Sequence, residues 1–138
     1  MKKVFSLCLI CLMALSASAQ QMEYVDLGLP SATLWKAVDE PGFYAYDEAM
    51  NNFNNQLPTG EQLEELKKEC VWSWNGTGYH VTGPNGNSIF LPAAGCRRNG
   101  SLNYAGSFGV YWSSSLNSGY PNSARYVYFN SSYVDWSF

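Results

Sequence analysis

Two hydrophobic periods divide the chain. From Thr59 to Cys70 apolar residues recur at Leu63, Leu66 and Cys70, spacings of three and four that predict an amphipathic helix. Its wet side carries Glu61, Glu64, Glu65, Lys67, Lys68 and Glu69. Thr59 is placed to cap this helix with Gln62 at the third helical position, and Pro58 stops any earlier helix. A shorter helix is expected from Tyr44 to Phe53. Beyond Cys70 the period falls to two. Tyr79 and Val81, then Ile89 and Leu91, flank Gly83-Pro84-Asn85-Gly86-Asn87, a hairpin signal. Further strands are expected at Val110 to Ser113, Ala124 to Asn130 and Tyr133 to Trp136. Gly, Pro and Asn punctuate the gaps, as at Asn99-Gly100 and Asn117 to Pro121. A strand, then helices, then a small sheet reads as an α+β fold.

The same alternation sorts the last strands into faces. Val127 and Phe129 turn inward, with Tyr126, Tyr128 and Asn130 outward. Val134 and Trp136 likewise turn inward, with Tyr133 and Asp135 outward. Trp72 and Trp74 suit either the core or an exposed platform for a sugar ring.

The first residues carry a different pattern. Lys2 and Lys3 precede an apolar run from Val4 to Leu15 and the small residues Ser16 to Ala19, the order of a secretory signal peptide. The run is shorter than the roughly 18 residues of a membrane span, so residues 1–19 are expected to be removed and 20–138 to form one domain. Export to the periplasm, the cell surface or the medium follows. In an oxidising compartment Cys70 and Cys96 can pair as a disulfide or remain two free thiols, and sequence alone favours neither.

Composition narrows the chemistry. The 138 residues hold 8 Lys and Arg against 11 Asp and Glu, too few cations to neutralise phosphates, so nucleic acid is not an expected partner. Aromatic residues reach 16% against 14% charged, which excludes disorder. After Cys70 the charged residues are Arg97, Arg98, Arg125 and Asp135. His80 is the one histidine, so neither a zinc site nor a histidine-activated nucleophile is expected. With Asp135 the one carboxylate side chain after Glu69, a calcium-dependent sugar site is not expected either, and no cofactor is implied. Tyr, Ser, Asn and Gly fill the stretch from Asn117 to Asp135, the residues of adaptable recognition surfaces.

The segments YVDLGLPSATLW (Tyr24 to Trp35), LPTGEQLEEL (Leu57 to Leu66), VTGPNGNSIFLPAAG (Val81 to Gly95) and GVYWSSS (Gly109 to Ser115) together resemble one family. It is the Fibrobacter succinogenes major paralogous domain, common in secreted and surface proteins of gut Bacteroidetes. The resemblance implies a C-type-lectin-like fold of the formylglycine-generating-enzyme branch, with two helices and a small antiparallel sheet carrying long loops. Trp35 and Trp112, each in one of the family-wide segments, are on that ground assigned to the core. The chain departs from that pattern by ending at Phe138 before the family's closing strand, which would leave a sheet edge open near Tyr24 to Leu29. Some relatives are targets of diversity-generating retroelements. Randomising the adenines of an asparagine codon cannot give Lys, Glu, Gln, Met or Trp, and Asn117 to Asp135 contains none of them; everything after Glu69 lacks the first four as well.

The expectation is a secreted or surface-displayed, non-enzymatic module that binds a protein or glycan ligand. Its ligand face is expected at Tyr120, Asn122, Tyr126, Tyr128, Asn130, Tyr133 and Asp135. The rival is an enzyme of the formylglycine-generating type using Cys70 and Cys96. Fold resemblance alone does not carry that activity.

Overall fold

The Thr59 hydroxyl accepts a hydrogen bond from the Gln62 amide at 3.2 Å, and the Gln62 side chain accepts one from the Thr59 amide at 2.9 Å. Two donors at the helix start are thus satisfied reciprocally, and α2 runs Gly60–Glu69 to a cap at Cys70. Leu63 and Leu66 are buried beneath it, with Glu61, Glu64, Lys67 and Lys68 in solvent. The earlier helix, α1, spans Tyr46–Phe53. These elements come from a computed structural model, which describes residues 2–3, 24–37, 39–40, 42–53, 56–120 and 122–137. Residues 4–19 of the expected signal peptide, and its cleavage point, lie outside them.

The strands form four small sheets. The first joins β1 (Lys2–Lys3), β2 (Tyr24–Asp26) and β3 (Leu34–Lys36) in the order β1-β3-β2, with β1 parallel and β2 antiparallel to β3. β2 is therefore an edge strand, and β3 has a neighbour on both sides. The second is an antiparallel meander of β4 (Val71–Trp74), β5 (Gly78–Thr82) and β6 (Ser88–Pro92), with Val81 opposite Ile89 and Tyr79 opposite Leu91. A two-stranded hairpin, β7 (Cys96–Arg98) and β8 (Ser101–Asn103), turns through Asn99 and Gly100 at φ 50 and 79. Both angles are positive, which is why an Asn-Gly pair serves there. The last sheet is β9 (Phe108–Leu116), β10 (Ala124–Asn130) and β11 (Tyr133–Ser137), with β10 central.

This architecture corrects one expectation. Among the described residues strand accounts for 44% and helix for 17%, spread over four small sheets and two helices, so the fold is broadly α+β but not the C-type-lectin-like arrangement that the resemblance implies. The physical reason is local. Val71–Trp74, Cys96–Arg98 and Ser101–Asn103, which are not among the expected strands, pair as strands of their own, and frequent Gly and Asn turns keep each sheet to two or three strands.

The sheets share one core. Phe129 is fully buried and stacks on Tyr111 at 5.7 Å, while its edge meets Tyr79 at 5.4 Å. One ring thus joins the last sheet to the β4-β5-β6 meander, with Leu63, Leu66, Leu27 and Trp35 closing the same cluster. Gly109 lies opposite Phe129 on β9, and a Cβ there would come within 2.3 Å of the ring. The hairpin after β5 is pinned to the N-terminal sheet, since the side-chain amides of Asn85 and Asn87 both donate to the Asp26 carbonyl at 2.9 Å.

Asp39 supplies a half-buried polar link. The Tyr111 hydroxyl lies 2.8 Å from the Asp39 carboxyl and 2.7 Å from the Pro92 carbonyl, yet it has one proton to give. A protonated Asp39 resolves the count: its O–H donates to Tyr111, and Tyr111 donates to Pro92. Burial agrees, raising the carboxyl well above the usual carboxylate range against the lowering effect of the Tyr111 hydrogen bond.

Two outcomes follow for stability. Gly109→Ala forces the Phe129 ring to move and is expected to cost about 1–3 kcal/mol, read as a lower thermal midpoint. For Asp39, the unfolded carboxyl releases its proton near pH 4 while the folded one holds it to a higher pH. Stability therefore falls as pH rises through that window. Asp39→Asn keeps an N–H donor for Tyr111 and removes the titration. In urea unfolding from pH 4 to 8 it is expected to flatten the decline, and an unchanged slope would show that Asp39 is not its source.

Candidate functional site

Because Val127 and Phe129 face the core, register places Tyr126, Tyr128 and Asn130 on the opposite side of β10. Trp112 pairs with Tyr126, Val110 and Asp135 flank Tyr128, and Phe108 and Tyr133 flank Asn130. The rings touch in sequence. Trp112 meets Tyr126 edge-on at 5.3 Å, Tyr126 meets Tyr128 at 6.0 Å, and Tyr128 meets both Phe108 and Tyr133 at 6.0 Å. Phe108 then reaches Tyr104 at 6.2 Å, so an aromatic band crosses the outer face of the sheet. At its other end Tyr46 of α1 packs on Trp112 at 5.6 Å.

Trp112 departs from its expected place in the core. The buried position belongs to its neighbour Tyr111, and Trp112 is half-buried on the outer face, its indole Nε1 donating to the Tyr44 carbonyl at 3.0 Å. A one-residue phase along β9 decides this, because Gly109, Tyr111 and Ser113 take the inward positions. Trp72 and Trp74 pack on Tyr79 at 5.6 and 5.2 Å, against the core rather than as an open platform.

A cleft of about 550 Å³ opens at the Tyr104 end of the band. One wall is β7, which contributes Cys96 and Arg98. Asn130 with the turn serines Ser131 and Ser132, and Tyr104, Ser107 and Phe108 before and at the start of β9, line the rest. Tyr104 is 66% exposed and has φ 61, a left-handed conformation that costs a non-glycine residue roughly 1–3 kcal/mol. Its carbonyl accepts from the Ser107 amide, the Ser107 hydroxyl and the Phe108 amide, each at 3.1 Å. Three hydrogen bonds thus hold a strained backbone that presents an exposed ring.

The expected ligand residues divide between two places. Tyr126, Tyr128, Tyr133 and Asp135 share the outer face, and Asn130 sits where that face meets the cleft. The Asn130 carbonyl oxygen Oδ1 is committed to the turn, accepting from the Ser132 amide at 2.8 Å and the Tyr133 amide at 3.2 Å. Tyr120 and Asn122 stand apart in the loop before Ala124, and β10 runs seven residues from Ala124 to Asn130, roughly 20 Å. Tyr120 is exposed and belongs to a turn built on Asn117, far from the cleft. Sequence reasoning missed Arg98, Tyr104 and Phe108. The one available signal was Arg98 itself, a charge in a half of the chain that has four charged residues.

Partial burial, then the charge of Asp135 and the neighbouring Tyr133 and Tyr126, raises the Tyr128 phenol above its usual value. It therefore remains a neutral O–H group. Among the described residues Cys70 and Cys96 are free and form no disulfide. Cys70 caps α2 inside the core, while Cys96 lies on β7 at the cleft. Burial, with Glu65 and Glu69 nearby, pushes the Cys70 thiol up to about 11, so it is not a thiolate at neutral pH. His80 is exposed on β5 beside Asn75 at 3.3 Å and Phe90 at 5.0 Å. Among the described residues no group of three or more His, Cys, Asp or Glu is placed to hold a metal ion, and no helix is long and apolar enough to cross a membrane.

Compared with protein families, curated proteins and solved structures, the chain matches none of them.

Proposed function

We propose that the protein is an exported, non-enzymatic binding module, and that the aromatic band of β9, β10 and β11 with its terminal cleft takes a carbohydrate. Tyr104 carries the reading. Its large ring is 66% exposed to solvent, with one edge contact to Phe108, on a backbone held at φ 61 by three hydrogen bonds, a conformation that glycine adopts without strain. Flat rings pack on the apolar face of a pyranose, and the serine hydroxyls and amide of the cleft suit its hydroxyl groups. The volume of about 550 Å³ lies within the range of small-ligand sites. The leader-like first nineteen residues support export, as does the resemblance of four segments to the Fibrobacter succinogenes major paralogous domain. A two-cysteine enzyme fits less well, because the Cys70 thiol is held protonated inside the core.

Tyr104→Gly separates binding from folding. The variant relieves the left-handed strain and loses some unfolded-state constraint, so its stability is expected to be unchanged or up to about 1 kcal/mol higher. On an array of immobilised saccharides its signal is expected to fall at least tenfold, whereas Tyr120→Ala, at the far end of β10, keeps the wild-type signal. Full binding by Tyr104→Gly, or equal loss in Tyr120→Ala, would place the ligand elsewhere.

A further inference from the structure

The cleft holds one charged side chain. Of the three arginines after Cys70, Arg125 is engaged with Glu64 at 2.6 Å and Arg97 lies over the Phe43 ring at 5.8 Å. Arg98 is exposed, lines the cleft and has no acidic partner among the described residues. Alternation along β7 explains the division, since Arg97 turns to the opposite side from Cys96 and Arg98. The tight Asn99-Gly100 turn follows Arg98 directly, with Arg98 paired to Ser101, so the backbone beneath the guanidinium is fixed. Asp135, the one acid in this half of the chain, lies three residues beyond Ser132 along β11, roughly 10 Å away.

A lone guanidinium in a cleft otherwise lined by hydroxyls, an amide, the Cys96 thiol and aromatic rings selects for charge as well as for shape. The fork of N–H donors matches the two oxygens of a carboxylate, or two oxygens of a sulfate ester. The chain as a whole is acidic, with formal net charge -3, so attraction for an anion has to be local. We infer that the cleft recognises an acidic sugar residue, its pyranose ring packed against Tyr104 and Phe108 and its anionic group held by Arg98. This rests on the carbohydrate-binding reading and specifies its ligand class.

Titration calorimetry of the full chain at low salt tests it, with D-galacturonate, galactose 6-sulfate and neutral galactose as probes. At least one of the two anions is expected to bind ten times or more tightly than galactose, and to weaken as salt is raised. Preference between the two identifies the anionic group as carboxylate or sulfate ester. Arg98→Ala is expected to remove that advantage, bringing the anions to within about twofold of galactose, while the thermal midpoint stays unchanged, because Arg98 is exposed and has no acidic partner among the described residues. Arg98→Lys keeps the charge without the fork and is expected to recover part of the affinity. Equal binding of galactose and both anions, unaffected by Arg98→Ala, would overturn the preference for acid and leave the sugar site standing. No heat with any of the three sugars, in wild type as in the variant, would overturn the inference and count against the carbohydrate reading as well.

Discussion

The Phe129 ring is the contact on which the molecule turns. It is fully buried, it stacks on Tyr111 and meets Tyr79, and it occupies the space that Gly109 leaves by having no side chain. Four small sheets, none large enough to stand by itself, become one unit partly because this ring lies between two of them. It also fixes phase. A strand has a period of two, so anchoring Phe129 inward commits Tyr128 and Asn130 outward, and through the pairing of β9 and β11 it commits Trp112, Phe108 and Tyr133 as well. The outer aromatic band is the necessary reverse of the core.

Rigidity reaches the band from several directions. The Tyr79 hydroxyl donates to the Asn130 carbonyl at 3.0 Å, tying the meander to the end of β10 where the cleft begins. At the other end the Ser114 amide donates to the Pro58 carbonyl at 2.8 Å, and the Gly60 amide donates to Ser115 at 2.9 Å, so the start of α2 is seated on β9. The rings between these ties make edge contacts that add to the fold, which explains why the face is half-buried rather than fully open. Tyr104 differs from them in being mostly exposed on strained backbone, and that contrast distinguishes a ring held for a ligand from rings that brace a sheet.

Local patterns were legible where one physical rule dominated. The Thr59 and Gln62 capping box, the apolar stripe of α2 and the faces of β10 each follow from spacing alone. What spacing could not supply was tertiary placement. Val71 to Trp74 alternates as a strand does, yet only its pairing with β5 makes it one. The seven expected ligand residues are close in sequence, but a strand separates its two ends in space, leaving Tyr120 and Asn122 remote from Asn130. Trp112 was misplaced by a single position of phase. The cleft was illegible because its walls come from β7, the segment before β9 and the turn after β10, which meet only in the folded chain.

Hydroxyl-radical footprinting read by mass spectrometry tests the phase of β10 most directly, and it needs no ligand. With Phe129 inward, oxidation is expected at Tyr104, Tyr128 and Tyr133, while Tyr111 and Phe129 remain protected until the protein is unfolded. Oxidation of Phe129 and Tyr111 in the folded protein, with Tyr128 protected, would mean that the strand is shifted by one residue and that the aromatic band does not exist.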